Sequence, residues 1–227
     1  MNATVNPSPP GFGLDLELET LISQQLVGRG IEDQRVLAAF RRVPRAAFVP
    51  DYFHHKMYLD DYLPIGLGES IAPAYVTARM LQELRLVEGA RVLEIGTGTG
   101  FQTALLAKLA AEVHTVEMKP ELSARARKLL LSDLGITNVH FHVSDGFHGW
   151  SEAAPFDGIV VGCAVDDPPW PLVGQLRQGA KLVIPVGDKR QVLRVVTRTG
   201  FGAEAETVAE DVFQSKLSRM QGEIDEL

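Results

Sequence analysis

Apolar positions along the chain follow two rhythms, and the change between them comes near residue 90. Leu14, Leu18, Leu21, Ile22 and Leu26 recur at helical spacing, and Gly28 and Gly30 close the run, so a helix is predicted over Leu14–Gly30. Glu32–Arg42 repeats the pattern with Val36, Leu37 and Phe40. Two prolines break the next stretch, Arg42–Pro50, and Asp51–Gly68 mixes aromatic and acidic residues without a legible element. Ala74–Leu86 reads as a further helix, with Pro73 suited to its first turn.

After Gly89, short apolar runs alternate with helical stretches. Strands are predicted at Arg91–Ile95, Val113–Glu117, Val139–Val143, Asp157–Val161, Lys181–Val186 and Val192–Thr199, with another near Glu206–Phe213. Helices are predicted at Gly100–Leu109, Pro120–Leu134 and Trp170–Arg177. This alternation implies an α/β fold: a Rossmann-like, mostly parallel central sheet with helices on both faces. The expected organisation is a flexible tail over 1–13, an N-terminal helical appendage over 14–90, and the Rossmann-like core over 91–227.

Charge narrows the partners. The 227 residues carry 22 Lys and Arg against 29 Asp and Glu, a formal net charge of −7, which lacks the basic footprint of a nucleic-acid enzyme. The single cysteine, Cys163, excludes an intrachain disulfide and every multi-cysteine metal scheme. Residues 1–13 (MNATVNPSPPGFG) have neither a basic start nor an apolar run, and no stretch approaches the roughly 20 apolar residues of a membrane span. A cytoplasmic monomer with no membrane and no nucleic-acid partner is the expectation. His54, His55, His114, His140, His142 and His148 show no ligand spacing, so no metal site is expected.

The strongest chemical signal is Leu93-Glu94-Ile95-Gly96-Thr97-Gly98-Thr99-Gly100, set between a predicted strand and a predicted helix. Glycines there permit a tight turn and close approach of a ligand to backbone amides. A dinucleotide fold shows G-x-G-x-x-G and places a pyrophosphate on the helix N-terminus, whereas this spacing is G-x-G-x-G. Glu94 would repel a pyrophosphate but suits the ammonium of an amino-acid moiety. Glu117 ends the second strand, where it would accept from ribose hydroxyls. Asp145 and Gly146 follow the third strand, where an adenine amino group would lie. Acids at the ends of successive strands favour an adenosyl ligand without phosphate, namely S-adenosylmethionine.

From about Asp33 to Thr199 the chain resembles the protein-L-isoaspartate O-methyltransferases. The resemblance rests on Val43-Pro44-Arg45 with Phe48-Val49, Leu63-Pro64-Ile65-Gly66, the run Arg91–Thr103, Pro155-Phe156-Asp157, Gln175-Leu176 and Leu182–Gly187. It implies the S-adenosylmethionine-dependent methyltransferase fold, that cofactor as methyl donor, and the carboxylate of an isoaspartyl residue in damaged proteins or peptides as acceptor. On matching positions it implies a cofactor site of Glu94, Gly96, Thr97, Gly98, Gly100, Gln102, Glu117, Met118, Asp145 and Gly146. It implies an acceptor side of Ile65, Gly66, Ser70, Ala72, Cys163 and Ala164, within the appendage and the segment after the fourth core strand. A carboxylate is already ionised at pH 7, so no general base is required. Cys163 reads as a packing residue rather than a nucleophile.

The acceptor side departs from the family. The family's active-site serine falls at Ala72, its threonine at Ser70 and its glutamine at Glu69. If the segment is extended, Ser70 and Ala72 point to the same side, which makes Ser70 the candidate catalytic hydroxyl. Asp166 and Asp167 stand in a segment made of small residues in the family, of the form Thr-Ala-Ala-Pro, and Phe213-Gln214-Ser215-Lys216-Leu217 replaces its Phe-Val-Pro-Leu. Three alternatives stay open: a different peptide or small-molecule carboxylate as acceptor, a catalytically weak adenosyl-binding protein, and a nicotinamide dehydrogenase.

Overall fold

A computed structural model describes residues 12–200 and 207–222. The expected tail therefore lies outside the described residues except at its end, because helix α1 (Phe12–Thr20) already begins at Phe12. The predicted first helix continues from α1 through a π-type turn (Leu21–Leu26) and a 3₁₀ turn (Val27–Arg29), and Gly30, at φ +88°, closes it. Helix α2 (Gln34–Arg42) starts where Asp33 accepts the amides of Arg35 and Val36, an N-cap that satisfies two otherwise unpaired donors. Helix α3 (Ala74–Leu84) follows, with Pro73 as its cap.

The segment without a legible element holds a 3₁₀ turn (Asp51–Lys56) and a two-stranded hairpin, β1 (Leu63–Gly66) and β2 (Glu69–Ile71). The strands are four and three residues long, too short for a period to declare itself. Gly66, Leu67 and Gly68 all have positive φ in the turn, so even Leu67 takes the left-handed region.

The main sheet runs in the order β5-β4-β3-β6-β7-β8-β9, from β3 (Arg91–Ile95), β4 (Glu112–Glu117), β5 (Val139–Val143), β6 (Phe156–Val161), β7 (Leu176–Val186), β8 (Gln191–Arg198) and β9 (Thr207–Ser215). Pairings from β5 through to β7 are parallel, and β8 alone runs against its neighbours. Helix α6 (Trp170–Gly174) is shorter than predicted, because Leu176 and Arg177 already belong to β7 and Leu176 pairs with Phe156.

Coverage of the two faces is uneven. Val92, Val113, Val160 and Val183 pack on one face with residues of α2, α3, α4 (Phe101–Leu109) and α5 (Pro120–Arg127) and with Leu21, Ile22 and Leu26. The other face, with Leu93, Ile95, Val116, Ile159 and Leu182, is covered by α6, Phe147, Trp150 and Met220. The loop glycines have separable roles here. Gly100 (φ +86°) caps α4, and a methyl on it would lie 2.6 Å from Leu130 Cδ1 and 3.2 Å from Ala126 Cβ. Gly100→Ala is expected to cost about 2 kcal/mol of stability from left-handed strain and the displaced Leu130, read as a lower urea midpoint.

Candidate active site

The strand order reverses across β3, which has β4 on one side and β6 on the other, and a cleft opens at the carboxyl ends of these strands, where open α/β sheets bind ligands. Gly96 donates to Val116 O (2.8 Å) and Gly162 to Ile95 O (2.8 Å), which hold the two strand ends side by side. A methyl on Gly96 would reach within 3.8 Å of Gly162 Cα, so the absence of side chains keeps the floor of the cleft open. Its walls include Ile65, Glu69, Ser70, Gly96, Gly98, Glu117, Met118, Lys119, Gly146 and Cys163. A second cleft shares Ser70, Gly96 and Gly98 and adds Ala72, Thr97 and Gln102. Gly100 lines neither, since it serves the α4–α5 packing.

Glu117 is the acid of the first cleft. Its Oε2 accepts the Gly98 amide (2.9 Å) and its Oε1 the Lys119 amide (3.0 Å), so the carboxylate anchors the glycine loop to the end of β4 and keeps a further lone pair on each oxygen. Gly146 closes the wall tightly, since a methyl there would meet Ile95 Cγ2 at 2.3 Å. Asp145 is set back from the wall. It caps the turn Gly146–His148 by accepting the Phe147 amide (2.9 Å), and Gly222 packs against its carboxylate.

Glu94 corrects the expected orientation: its charge does not face the cleft. The residue is fully buried on the α4 side of the sheet, where Oε2 accepts from Thr103 Oγ1 (2.5 Å) and Thr115 Oγ1 (2.7 Å) and Oε1 from Gln102 (3.2 Å). Thr97 Oγ1 lies 2.6 Å from Thr115 Oγ1, and with Thr115 donating to Glu94 this contact is a donation from Thr97. A relay thus ties the loop to the buried acid. Burial raises the Glu94 pKa to about 7, against the lowering by its hydrogen-bond donors.

On the acceptor side, Ser70 lies on both walls and Ala72 on the second only. Ile65 lines the first, while Gly66 lies in the hairpin turn and on neither. Cys163 is half-buried on the first wall. Desolvation, and then the negative charges of Glu69, Glu117 and Asp145, push its thiol up to about 12, so it stays protonated and is no nucleophile. Ala164 is buried and not on the wall; its backbone pairs with Ser218 O (2.7 Å) and the Met220 amide (2.8 Å).

The roles of several contributors lay outside the sequence reading. Glu69 is paired with Lys119, which also donates to Leu67 O (2.9 Å), so this acid is neutralised and latches the hairpin over the cleft. Buried Arg45 donates to Met57 O (2.6 Å) and Ala72 O (2.9 Å), with its guanidinium 4.6 Å from the Phe101 ring, and braces the segment that carries Ala72. Residues 218–220 pair with Ala164, just beyond β6, and Arg219, Met220 and Gln221 complete the wall. Arg219 also forks onto Asp166 (2.8 and 3.0 Å), which accounts for that acid away from the acceptor side.

The sequence model of the family described as protein-L-isoaspartate(D-aspartate) O-methyltransferase matches residues 17–217. A protein-L-isoaspartate O-methyltransferase of Anaeromyxobacter dehalogenans (strain 2CP-C) is 50% identical over 185 residues, covering 81% of this chain and 88% of that protein. One of Picosynechococcus sp. (strain ATCC 27264 / PCC 7002 / PR-6) is 46% identical over 188 residues, with 83% and 84% covered. A solved structure of a protein-L-isoaspartate O-methyltransferase superposes with a TM-score of 0.80 at 26% identity, over 91% of this chain and 67% of that one. A Plasmodium falciparum methyltransferase in complex with S-adenosyl-L-homocysteine shares the fold, with a TM-score of 0.75 at 24% identity over 91% of this chain and 97% of that one. Strand order, glycine loop and the extent of these matches agree, and the chain belongs to the protein-L-isoaspartate O-methyltransferase family.

Proposed function

We propose that this chain binds S-adenosylmethionine in the cleft at the ends of β3, β4 and β6 and methylates the carboxylate of L-isoaspartyl residues in damaged proteins. The observation that carries the reading is the donor set of the cleft. Glu117 and nearby Asp145 flank a glycine-floored space, Glu69 being neutralised by Lys119, and the lone pairs that Glu117 keeps suit hydroxyl donors rather than a phosphate. Glu117 would hold the ribose; Gly96, Thr97, Gly98 and Gly146 give backbone access; Met118 is exposed at the rim; Gln102 and Glu94 brace the loop from beneath. When bound, the cofactor supplies a methyl group activated by its sulfonium. The protein's task is then alignment and exclusion of water, because the acceptor carboxylate is ionised without help.

The helical first 90 residues would present the acceptor and the core the donor. Ser70, on both walls, would donate its hydroxyl to the acceptor carboxylate. Ser70→Ala should lower kcat/KM on an isoaspartyl peptide about tenfold, the loss of one hydrogen bond to a charged group, with S-adenosylhomocysteine affinity unchanged. Ala72→Ser, which restores the family hydroxyl beside the second cleft, should raise kcat/KM. An altered acceptor is the second reading, motivated by Ala72 itself. If neither substitution changes turnover of isoaspartyl against ordinary aspartyl peptides, that second reading replaces the first at the acceptor.

The thiol of Cys163 suits a reducing compartment such as the cytoplasm. Among the described residues no helix is long and apolar enough to cross a membrane.

A further inference from the structure

Away from the cleft, the edge of the sheet gathers side chains that sequence spacing left apart. Glu112 and His114 are two residues apart on β4 and so share a face, and His140 pairs in register with His114 from β5. Glu112 Oε1 lies 2.9 Å from His114 Nε2 and 3.5 Å from His140 Nε2. The three donor atoms all lie within 4.8 Å of one another. The His114 and His140 rings stack with centroids 4.7 Å apart.

We propose that Glu112, His114 and His140 form a site for a late first-row divalent cation such as Zn²⁺. Zinc binds imidazole nitrogen and carboxylate oxygen at about 2.0–2.2 Å, so ligand atoms around one ion sit roughly 3–4 Å apart. The 3.5 Å separation fits that spacing, and the 2.9 Å one is a hydrogen bond that an ion would open by a few tenths of an ångström. The His140 side chain is 52% exposed, and closing the remaining separation requires its ring to leave the stack on His114. The outer shell is also formed. His114 Nδ1 is 3.1 Å from His142 Nε2, which leaves Nε2 of His114 facing Glu112, and Arg91 Nε holds the other carboxylate oxygen at 2.7 Å. Trp150 stacks on His142 at 3.8 Å and fixes that support in turn. The nearby guanidinium disfavours a hard, oxygen-seeking cation, while imidazole ligands favour zinc, nickel or copper. Three protein ligands leave a position for water.

The site occupies the amino-terminal half of β4, Glu112 to His114, and the cleft its carboxyl end at Glu117, roughly 10–16 Å away along the strand. A bound ion would therefore pin edge strand β5 to β4 rather than touch reacting atoms, and the proposal is independent of the methyl-transfer reading. The test titrates the full chain, metal-stripped and free of any histidine tag, with Zn²⁺ alone in a calorimeter. One site per chain is expected, weakened at least about tenfold by His140→Ala and by Glu112→Gln, and unchanged by His55→Ala. Zn²⁺ should raise the Tm of the native chain and leave that of His140→Ala unmoved. Because His140 is exposed, that variant keeps its metal-free Tm, which separates lost ligation from lost folding. Bound Co²⁺ should show visible bands that disappear in the same variant. No saturable site, or one indifferent to both substitutions, overturns the proposal.

Discussion

Replacing Glu117 by alanine is expected to weaken S-adenosylhomocysteine binding by on the order of 100-fold or more. Two hydrogen bonds from ribose hydroxyls to a carboxylate are each worth about 1.5–3 kcal/mol, and only part of that needs to be lost. The same carboxylate accepts the Gly98 and Lys119 amides, so its removal also loosens the loop that floors the cleft. A double-mutant cycle separates the two effects. Glu117→Ala should bind the ligand and its 2′,3′-dideoxy analogue with nearly equal affinity, whereas the native chain should strongly prefer the hydroxylated form. If the native chain shows no such preference, Glu117 acts on the loop alone and the ribose lies elsewhere.

Local pattern made the sheet legible and left long-range placement hidden. Arg91–Ile95 stands where its apolar run places it, because a buried parallel strand has no polar face to blur its ends, and Val139–Val143 stands where its alternation places it, as suits a half-buried edge strand. The glycine loop was legible for the same reason, since its meaning depends only on the strand before it and the helix after it. Glu94 was misoriented by a neglected period. Leu93 and Ile95 share one face of β3, so Glu94 must face the other, where α4 covers it. The hairpin β1–β2 escaped because seven residues carry too little periodicity. The His114–His140 contact depends on strand register, and the pairing of residues 218–220 with Ala164 depends on tertiary packing. Neither leaves a mark on local sequence.

Glu94 carries the second large expectation, and its sign follows from burial. Its pKa rises from an ordinary carboxylate value to about 7 in the fold, chiefly because charge is costly there. Between about pH 4.5 and 7 the folded state therefore keeps a proton that the unfolded chain releases, and stability falls as pH rises through that window. The full effect is about 3 kcal/mol, complete above pH 7 and absent below the unfolded pKa. Half-buried His142, pushed down to about 4, and His114, also lowered, oppose it across part of the range, because there the unfolded chain holds the extra proton. The slope of the native chain alone is thus ambiguous, and the difference from Glu94→Gln isolates the carboxyl. Glutamine keeps an oxygen for Thr103 and Thr115 and turns its amine toward the Gln102 amide, which flips to accept. In urea unfolding the variant should match the native chain near pH 4.5 and exceed it by about 3 kcal/mol at pH 8. Parallel pH profiles for the two proteins would show that the buried acid titrates in the fold as it does in the unfolded chain. The relay to Thr97 would then hold the glycine loop through a charge rather than a protonated carboxyl.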